Sequence, residues 1–504
     1  MAVVILIFIG VAIVCMGEKA RRQRIEEANR PFNPDAVLGR AGVIETDKEL
    51  RKAGYFKRGG IRIGLSPSGK HAQFYHGKGH ILVCAANRAG KFYTLLAALI
   101  FTLGPKRSLV NFDSKGEITC VTGKARQRYG EVYVLNPFGI HLDYMKGLKQ
   151  ACYNPMDILN PNSLSFHSDC DKITDSFRPQ SVGPDSHWWD TAAILISGVM
   201  GAIAKYGHPD DRNLPTVKAV ITGSLGKSVF DFCRECMAID DQDIKDKLAR
   251  FAVKGAEDNK EFASVVSCAI TRMGFISGAI AENMKRSTFR FRDLKRQAGM
   301  TVSICLPPNK FDTCSPWFTT LVACMLMELL DETGGVPVLA IIDEISQIGY
   351  LKALEDAYGM AAGACRLQIL AVYQSVSQMT NQFPKTANNM IQNSGIKIFF
   401  WCRDHISRQT VSDLSGVMEV ITQSRNVSID PRTGEPNVSF GSGQTSRPVL
   451  YPQEVDCLPD DKMWLFAEGI SNVVKATRKP YTTEFRGGPN PYFNGGAFWS
   501  KLWK

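Results

Sequence analysis

The sequence lacks the paired, regularly spaced cysteines of a disulfide framework. Its 504 residues include 14 cysteines, which are scattered and lie mostly within apolar runs, for example Cys84, Cys305 and Cys324. This distribution is typical of buried thiols in a reducing compartment. Cys233 and Cys236 have the spacing of a zinc knuckle, but no second pair follows at matching spacing. Because structural zinc needs four ligands, two thiols borne by a helix are favoured over a metal site.

The sequence also lacks internal repeats and any extreme of composition. Hydrophobic residues make up 44% of the chain and charged residues 22%, so neither a repeat protein nor a disordered chain is indicated. The length is enough for two or three domains with their own cores. The formal net charge of +11 suits an anionic partner such as nucleic acid or a lipid surface, but an ordinary basic surface explains it equally well.

Charged residues are absent from residues 2–17, AVVILIFIGVAIVCMG. The run is close to the lower limit of about 17 residues for a spanning helix. No basic residues precede it, as they would in a cleaved signal peptide, and four basic residues follow it between positions 19 and 24. By the positive-inside rule, we expect a single-pass anchor over residues 1–17 and the bulk of the chain in the cytoplasm. The alternative is a buried N-terminal helix in an assembly.

The stretch His80–Thr94, HILVCAANRAGKFYT, predicts a buried strand, a tight turn and the start of a helix. P-loop proteins hold phosphates in this way: backbone N–H groups and the positive helix end bind the anion, and the lysine reaches the outer phosphates. Two features of the pattern G-x-x-x-x-G-K-[ST] are missing, since Ala85 stands at the first glycine and Phe92 follows the lysine. Alone, the motif therefore leaves nucleotide binding open. The residues predicted to bind the nucleotide are Ala86, Asn87, Arg88, Ala89, Gly90, Lys91 and Phe92.

Short apolar runs that end in polar turns recur along the chain and predict a parallel α/β sheet. Ligands of such sheets bind at the carboxyl ends of the strands. Short strands are also expected between Ile61 and Tyr75, and a hairpin within Asn426–Phe440. The other predicted strands are Ser108–Phe112, Val132–Leu135, Thr301–Leu306, Val336–Glu344, Leu367–Tyr373, Ile396–Trp401 and, as the last strand, Met463–Phe466.

The run VPVLAIIDE ends in Asp343 and Glu344, as in a Walker B strand. A buried strand would deliver two carboxylates to its end: Asp343 can hold the Mg²⁺ shell, and Glu344 can polarise the attacking water. Such a run also occurs by chance, but a P-loop in the same chain makes the catalytic interpretation the stronger one. Gln374 directly follows the next strand, where a polar residue can sense the γ-phosphate.

Strand-like runs are missing between about residues 160 and 290. Apolar residues recur there at helical spacing in Trp188–Lys205, Thr216–Phe232 and Phe262–Ile280, which predicts a mostly helical insert. Its aromatic residues are better explained as core than as cofactor ligands. The glycine- and proline-rich tail is expected to be loosely ordered, although Trp499 and Trp503 could dock it.

The ordered set of motifs resembles the TraG-like coupling proteins of bacterial type IV secretion and conjugation, over roughly residues 60–480. Three pieces in this order are specific to that family: the DSKGE turn, the block from IDEISQIG to YQSVSQM, and RPVLYPQEVDCLPDD. The resemblance also includes HILVCAANRAGK, VLNPFG, CYNPMDIL, HWWDTAAILISG, TVSICLPP and IKIFFWCRDHISRQTVSDLSG.

The resemblance implies a RecA-like P-loop domain that is interrupted by an all-α domain and tethered to the bacterial inner membrane. Such proteins are thought to form hexameric rings that bring DNA–relaxase complexes or effector proteins to the secretion channel, next to its other ATPases and inner-membrane components. The all-α domain would recognise the substrate. The implied boundaries are an anchor (1–17), a linker (18–60), two parts of the nucleotide-binding domain (61–160 and 291–480), the all-α domain (161–290) and a tail (481–504).

The resemblance also implies ATP and Mg²⁺ as ligands and assigns residues by position. Lys91 corresponds to the P-loop lysine and Gly90 to its turn glycine, while Asp343, Glu344 and Gln374 take the roles described above. The remaining matches are Asp113 and Lys115 in the acidic-Pro-Lys-Gly turn, with Ser114 in place of proline, and Arg403 or Arg408 as the arginine that a neighbouring subunit would supply.

Two departures from the family matter for function. Without a hydroxyl at Phe92, the metal must rely on phosphates, waters and Asp343, and the bulk of the ring makes crowding near the nucleotide a concern. The anchor is one short segment, where relatives often have two spans and a periplasmic portion. Two other functions stay open: a non-hydrolysing receptor with a degenerate P-loop, and an FtsK-type DNA motor, which fits the DSKGE and RPVLYPQEVDCLPDD stretches less well.

Overall fold

The computed structural model describes residues 2–29, 35–38, 42–178, 186–360, 363, 365–432 and 434–492. The strands are β1 Asp35–Leu38, β2 Val43–Ile44, β3 Ile61–Leu65, β4 Ala72–Tyr75, β5 His80–Ala85, β6 Ser108–Asp113, β7 Val132–Leu135, β8 Lys149–Gln150, β9 Thr301–Cys305, β10 Val338–Ile342, β11 Leu367–Tyr373, β12 Ser394–Phe400, β13 Val417–Ile429, β14 Pro436–Pro448, β15 Lys462–Ala467 and β16 Val473–Thr477.

The α-helices are α1 Ala2–Asn29, α2 Lys48–Lys52, α3 Ala97–Thr102, α4 Glu117–Arg126, α5 Phe166–Asp175, α6 Ser186–Tyr206, α7 Leu214–Thr222, α8 Val229–Cys236, α9 Gln242–Ala252, α10 Lys260–Arg272, α11 Gly278–Asn283, α12 Asp293–Arg296, α13 Phe311–Leu330, α14 Lys352–Met360, α15 Val376–Gln382, α16 Ala387–Asn393, α17 His405–Ser415 and α18 Pro452–Val455. A π-helical turn, Phe92–Leu96, leads into α3.

Most of the strands form one mixed sheet of 13 strands. The strands β12-β5-β11-β10-β6-β9-β7-β8 are neighbours in this order and run parallel. Beyond β12 the sheet continues with β15, β16, β3 and β4 in antiparallel pairing, and β2 lies parallel to β16. The predicted parallel α/β sheet is therefore confirmed, and it carries an antiparallel extension at one side.

The central strands are buried on both faces, as their continuous apolar runs predict for a covered parallel sheet. Every residue of β5, β10 and β11 is buried. Successive side chains of a strand point to opposite faces. In β5, Leu82 and Cys84 join the core beneath α13, whereas Ile81 and Val83 join the core around the P-loop helix. The sheet thus separates two hydrophobic cores and leaves its carboxyl edge for polar groups.

Helices α5–α12, here called the helical region, follow one another between β8 and β9. Helix α6 packs against α5, α7, α9 and α10. The predicted helix Thr216–Phe232 is two helices, because Gly223 and Gly226 have φ angles of +70° and +80°, which a continuing helix does not allow. Phe262–Ile280 likewise divides into α10 and α11. Cys233 and Cys236 are buried on α8, as predicted, and burial raises the pKa of these thiols to about 12 and about 11.

Residues 18–60 carry more regular structure than a linker. They include the end of α1, α2 and strands β1 and β2, of which β2 pairs with the large sheet and β1 with β13. The hairpin β13–β14 is longer than the predicted Asn426–Phe440, since both strands have 13 residues. Its tip contacts α1, where Nη1 of Arg24 lies 3.3 Å from Oε2 of Glu435.

Residues 2–17 of the predicted anchor form the first part of α1, and Met1 lies outside the described residues. Within the part of the chain that the structure describes, one helix is long and apolar enough to cross a membrane by length and composition. It is Pro308–Leu330, which is α13 with the short 3₁₀ turn before it, and 72% of its apolar window is buried inside the protein. Such burial is what the core helix of a soluble domain shows, and this helix packs under the sheet.

The C-terminal part of the chain differs from its prediction in two respects. Met463–Phe466 is not the last strand, because β16 follows it and joins the sheet. The tail residues 481–492 pack closely on α4: a Cβ atom at Gly488 would lie 2.3 Å from the carbonyl oxygen of Cys120. Its glycines therefore serve close packing up to Tyr492. Trp499 and Trp503 lie outside the described residues.

Candidate functional site

The parallel strands bring the predicted site residues to one edge of the sheet. Ala85 at the end of β5 pairs with Phe400 of β12 on one side, and β11 lies on the other side of β5. Strands β10 and β6 follow beyond β11. The segments after these strands carry the P-loop, Gln374, Asp343 with Glu344, the turn 113–117 and Arg403. All of them therefore lie at the carboxyl edge, where ligands of such sheets bind.

The P-loop forms a tight turn between β5 and the helix that begins near Lys91. Arg88 and Gly90 have left-handed φ angles of +62° and +76°. Ala85, which stands at the usual first glycine, is the last residue of a fully buried strand, where the backbone does not require glycine. The ammonium of Lys91 donates to the carbonyl oxygen of Ala85 at 3.2 Å. Burial lowers the pKa of Lys91, and the nearby charges of Asp343 and Glu344 oppose that shift.

The ring of Phe92 is accommodated in the protein interior. It is 9% exposed and packs against Tyr481, with the ring centroids 5.9 Å apart. The ring therefore lies in the interior against Tyr481, and crowding of the nucleotide stays a prediction. The hydroxyl of Thr94 donates to the carbonyl oxygen of Gly90 at 2.9 Å and accepts from Arg478 at 3.0 Å. It is engaged within the protein and does not replace the missing hydroxyl at position 92.

Asp343 and Glu344 follow β10 and lie close to two lysines. Within the part of the chain that the structure describes, Oδ1 of Asp343 is buried and accepts no hydrogen bond. Burial raises the pKa of Asp343 to about 6, and the charge of Lys91 opposes this shift. Glu344 has a φ of +55° and accepts from Nε2 of Gln347 at 2.6 Å. Nζ of Lys115 lies 3.6 Å from Oε1 of Glu344.

The donor set of this carboxylate pair suits a hard divalent cation. Mg²⁺ prefers one or two carboxylates together with phosphates and waters. A buried carboxylate oxygen without a hydrogen-bond donor is costly unless a cation comes to it. The residues present therefore fit Mg²⁺, with Asp343 as the protein ligand.

In the turn after β6, some polar side chains stabilise the fold and one lies at the candidate site. Oδ2 of Asp113 accepts from the backbone N–H and the hydroxyl of Thr119, both at 2.8 Å, so Asp113 holds the start of α4. Burial raises its pKa. Ser114 is buried, and only Lys115 of this turn reaches a Walker B carboxylate. Burial also raises the pKa of Glu117 to about 7.

Gln374 and the two arginines differ in how they lie at this edge. Gln374 follows β11, which lies between β5 and β10, and its backbone N–H donates to Oε1 of Gln378 at 3.0 Å. Arg403 is exposed, and its guanidinium lies over the ring of Trp401 at 5.1 Å. Arg408 is half-buried on α17. The structure thus brings Lys91, Asp343, Glu344 and Lys115 together and gives Arg403 a partner within its own chain.

Two groups of residues near the site escaped prediction. Arg478 is buried and donates to the carbonyl oxygen of Ala89 at 2.6 Å, so it stabilises the P-loop from the protein interior. Asn490 donates to Oε1 of Glu117 at 2.7 Å, and the hydroxyl of Tyr492 donates to the carbonyl oxygen of Lys115 at 3.2 Å. These contacts join positions hundreds of residues apart, and no local pattern announces them.

Comparison with known proteins places these features in a family. The sequence pattern of the family described as type IV secretory system conjugative DNA transfer matches residues 43–484. The conjugal transfer protein TraG of Escherichia coli is 24% identical over 455 residues, which cover 84% of this chain and 69% of TraG. The protein VirD4 of Rhizobium radiobacter is 24% identical over 408 residues, which cover 77% of this chain and 55% of VirD4. The chain thus aligns with between 55% and 69% of the length of these relatives.

Solved structures share the fold. The bacterial conjugative coupling protein TrwBdeltaN70, in its unbound monoclinic form, has a TM-score of 0.64 at 16% identity, covering 92% of this chain and 98% of its own. The plasmid coupling protein TrwB in complex with ADP and Mg²⁺ has a TM-score of 0.63 at 17% identity, covering 91% and 97%. At this identity the likeness establishes the mixed α/β fold, with its RecA-like core, and nothing beyond it.

Proposed function

Since the chain belongs to the type IV secretory system conjugative DNA transfer family, we propose that it is a coupling ATPase. It binds ATP and Mg²⁺ at the carboxyl edge of the sheet and uses hydrolysis to deliver DNA–relaxase complexes or effector proteins to a type IV secretion channel. The observation that carries this proposal is the convergence of Lys91, Lys115, Asp343 and Glu344 around a buried carboxylate oxygen. The complex of TrwB with ADP and Mg²⁺ supports it by analogy of fold.

Each charged group has a distinct role in this proposal. Lys91 stabilises the β- and γ-phosphates, and Asp343 holds the metal. Bound Mg²⁺ would neutralise charge on the transferred phosphoryl group. Glu344 orients and deprotonates the attacking water, while Lys115 beside it offsets the negative charge of the pair. Gln374, between the P-loop and the carboxylates in the strand order, contacts the γ-phosphate or its water.

The assembly and the membrane attachment are part of the same proposal. Residues 1–17 anchor the chain in the inner membrane by a single pass, and the remainder lies in the cytoplasm. Six copies form a ring in which ATP binds between subunits and a neighbouring arginine completes the site. Because Arg403 stacks on Trp401 of its own chain, Arg408 is the better candidate for that arginine. The all-α domain, proposed as 161–290, recognises the cargo.

The test is ATP binding and phosphate release by the full-length chain in detergent, with and without DNA. We expect Lys91→Ala to abolish ATP binding. Glu344→Gln should retain binding and lower turnover by about 100-fold or more, since it removes only the base. Lys149→Ala, an exposed lysine on β8, is the matched control and should change neither. A wild-type chain that neither binds nor hydrolyses ATP in any of these conditions would contradict the proposal.

The two alternative functions have less support. The match to a conjugative DNA transfer family favours this function over an FtsK-type motor. A non-hydrolysing receptor would have no need of Glu344 with Lys115 beside it, and the ring of Phe92 is accommodated against Tyr481. The result with Glu344→Gln separates these functions directly, because a receptor shows no turnover to lose.

A further inference from the structure

The order of the strands determines the direction in which a bound nucleotide runs across the sheet. The P-loop follows β5, and the carboxylates Asp343 and Glu344 follow β10, with β11 between them. Metal and attacking water act at the γ-phosphate, so this end of the triphosphate points toward β10. The ribose and the base therefore extend to the other side of the P-loop, above the ends of β12 and β15.

An aromatic side chain is held at that place. Trp401 directly follows Phe400, whose partner in β5 is Ala85. Because neighbouring strands lie about 5 Å apart, Trp401 stands beside the first residues of the P-loop. Nε1 of the half-buried indole donates to Oδ1 of Asp460 at 3.1 Å. Asp460 lies two residues before β15, whose first residues are at the same edge of the sheet, so two connections fix the ring.

Trp401 packs in part on the core around the P-loop helix, and its backbone conformation and neighbouring charge give it a further character. Its φ of +56° is left-handed, a conformation that bulky residues rarely adopt and that concentrates at ligand sites. The exposed guanidinium of Arg403 lies 5.1 Å from the ring centroid. The guanidinium thus covers one face of the indole, and the carboxylate of Asp460 lies at the indole nitrogen. Bases stack on aromatic rings and on arginine planes of this kind.

We propose that Trp401 and Arg403 form the nucleobase end of the nucleotide site and bind the adenine ring of ATP by stacking. This assignment rests on the proposed ATP site and adds the part of the ligand that the P-loop does not contact. The carboxylate of Asp460 lies at the rim, where it can accept from the exocyclic amine of adenine. Arg403 then acts on the nucleotide of its own subunit and is not the arginine supplied to a neighbour.

The test compares two ligands, ATP and inorganic tripolyphosphate, on the full-length chain in detergent, both with Mg²⁺. Tripolyphosphate has the phosphates but no base. Trp401→Ala should weaken ATP binding by about tenfold, from the loss of one base stack, and leave tripolyphosphate unchanged. Trp401→Phe, which keeps a ring, should restore most of the ATP affinity. Arg403→Ala should raise the KM for ATP and leave kcat unchanged.

The matched control is Tyr206→Ala, at an exposed tyrosine of the helical region that also lies beneath a cation, with Nζ of Lys205 5.6 Å from its ring centroid. It should affect neither ligand. Equal weakening of both ligands by Trp401→Ala, or no effect on ATP, overturns the nucleobase assignment while the phosphate site stands. A fall in kcat at constant KM for Arg403→Ala overturns the role given to that residue. A wild-type chain that binds neither ligand refutes the ATP site itself, and the nucleobase end with it.

Discussion

Replacing Arg478 by methionine tests whether the P-loop is held in shape by a distant part of the chain. Nη1 of Arg478 donates to the carbonyl oxygen of Ala89 at 2.6 Å and to the hydroxyl of Thr94 at 3.0 Å. Nε donates to the carbonyl oxygen of Lys462 at 3.3 Å. The guanidinium also lies 4.3 Å from the ring centroid of Phe400. Methionine keeps the apolar stem but removes all of these contacts.

The magnitude follows from opposing contributions. Hydrogen bonds of charged groups contribute about 1.5–3 kcal/mol each, and a desolvated cation–π contact contributes about 2 kcal/mol. Against this, burial lowers the pKa of Arg478 to about 10, and such a shift corresponds to a cost of roughly 3 kcal/mol for keeping the charge inside. The two shorter hydrogen bonds and the cation–π contact together outweigh the cost of burying the charge by a few kcal/mol. We therefore expect Arg478→Met to lower the free energy of unfolding by about 3 kcal/mol. Arg478→Lys keeps the charge but not the forked geometry of the guanidinium, so its free energy of unfolding should lie between those of the wild type and Arg478→Met.

Denaturant unfolding and ATP titration of the full-length chain measure the two effects separately. Arg126 provides a matched control, because it is also buried and donates to the carbonyl oxygens of Leu103, Arg107 and Gly299, at the opposite edge of the sheet. Arg126→Met should lose a similar amount of stability without a change in ATP affinity. Arg478→Met should also lower the affinity for ATP by about tenfold, which corresponds to about 1.4 kcal/mol of binding free energy lost because the P-loop is less well ordered. Equal ATP affinities in the two variants would refute the positioning role.

Two further predictions concern the site directly. Because burial raises the pKa of Asp343 to about 6, the folded ligand-free chain binds that proton more tightly than the unfolded chain. The free energy of unfolding should therefore fall, relative to Asp343→Asn, as the pH rises from about 4 to about 6. Parallel pH profiles of the two variants in denaturant unfolding would contradict a raised pKa of Asp343 in the folded chain. Phe92→Gly should lower stability by about 3–5 kcal/mol through the cavity left against Tyr481 and should not raise ATPase activity. A large gain of phosphate release in this variant would instead identify a decayed P-loop.

The sequence predicts strands well where burial makes them continuously apolar. Val132–Leu135 and Leu367–Tyr373 were predicted with the bounds that the structure has, because polar turns end these runs sharply. Strand β16 was missed, since it is short and carries Lys475 in its middle. The hairpin β13–β14 was predicted too short because β14 has few apolar residues and is largely exposed, so no periodic pattern marks its end.

The same distinction applies to the site. Lys91, Asp343 and Glu344 could be predicted because each belongs to a local motif whose spacing reflects one strand and one turn. Trp401 and Arg478 could not, because their importance depends on strand order and on contacts across the sheet. Arg478 lies 389 positions from Ala89, and pairing at such separation leaves no trace in local periodicity.

The departures of the P-loop from its usual pattern can be explained physically only together with the distant residues that contact the loop. Phe92 has no hydroxyl for a metal, but its ring anchors the helix start to Tyr481. Arg478, three residues before Tyr481, stabilises the P-loop through its hydrogen bond to Ala89. Further on, Tyr492 contacts the backbone of Lys115, the lysine beside Glu344. The segment from Arg478 to Tyr492 thus contacts both the phosphate loop and the turn that serves the carboxylates. We therefore expect changes in this segment to alter nucleotide affinity, although none of its residues belongs to a nucleotide-binding motif.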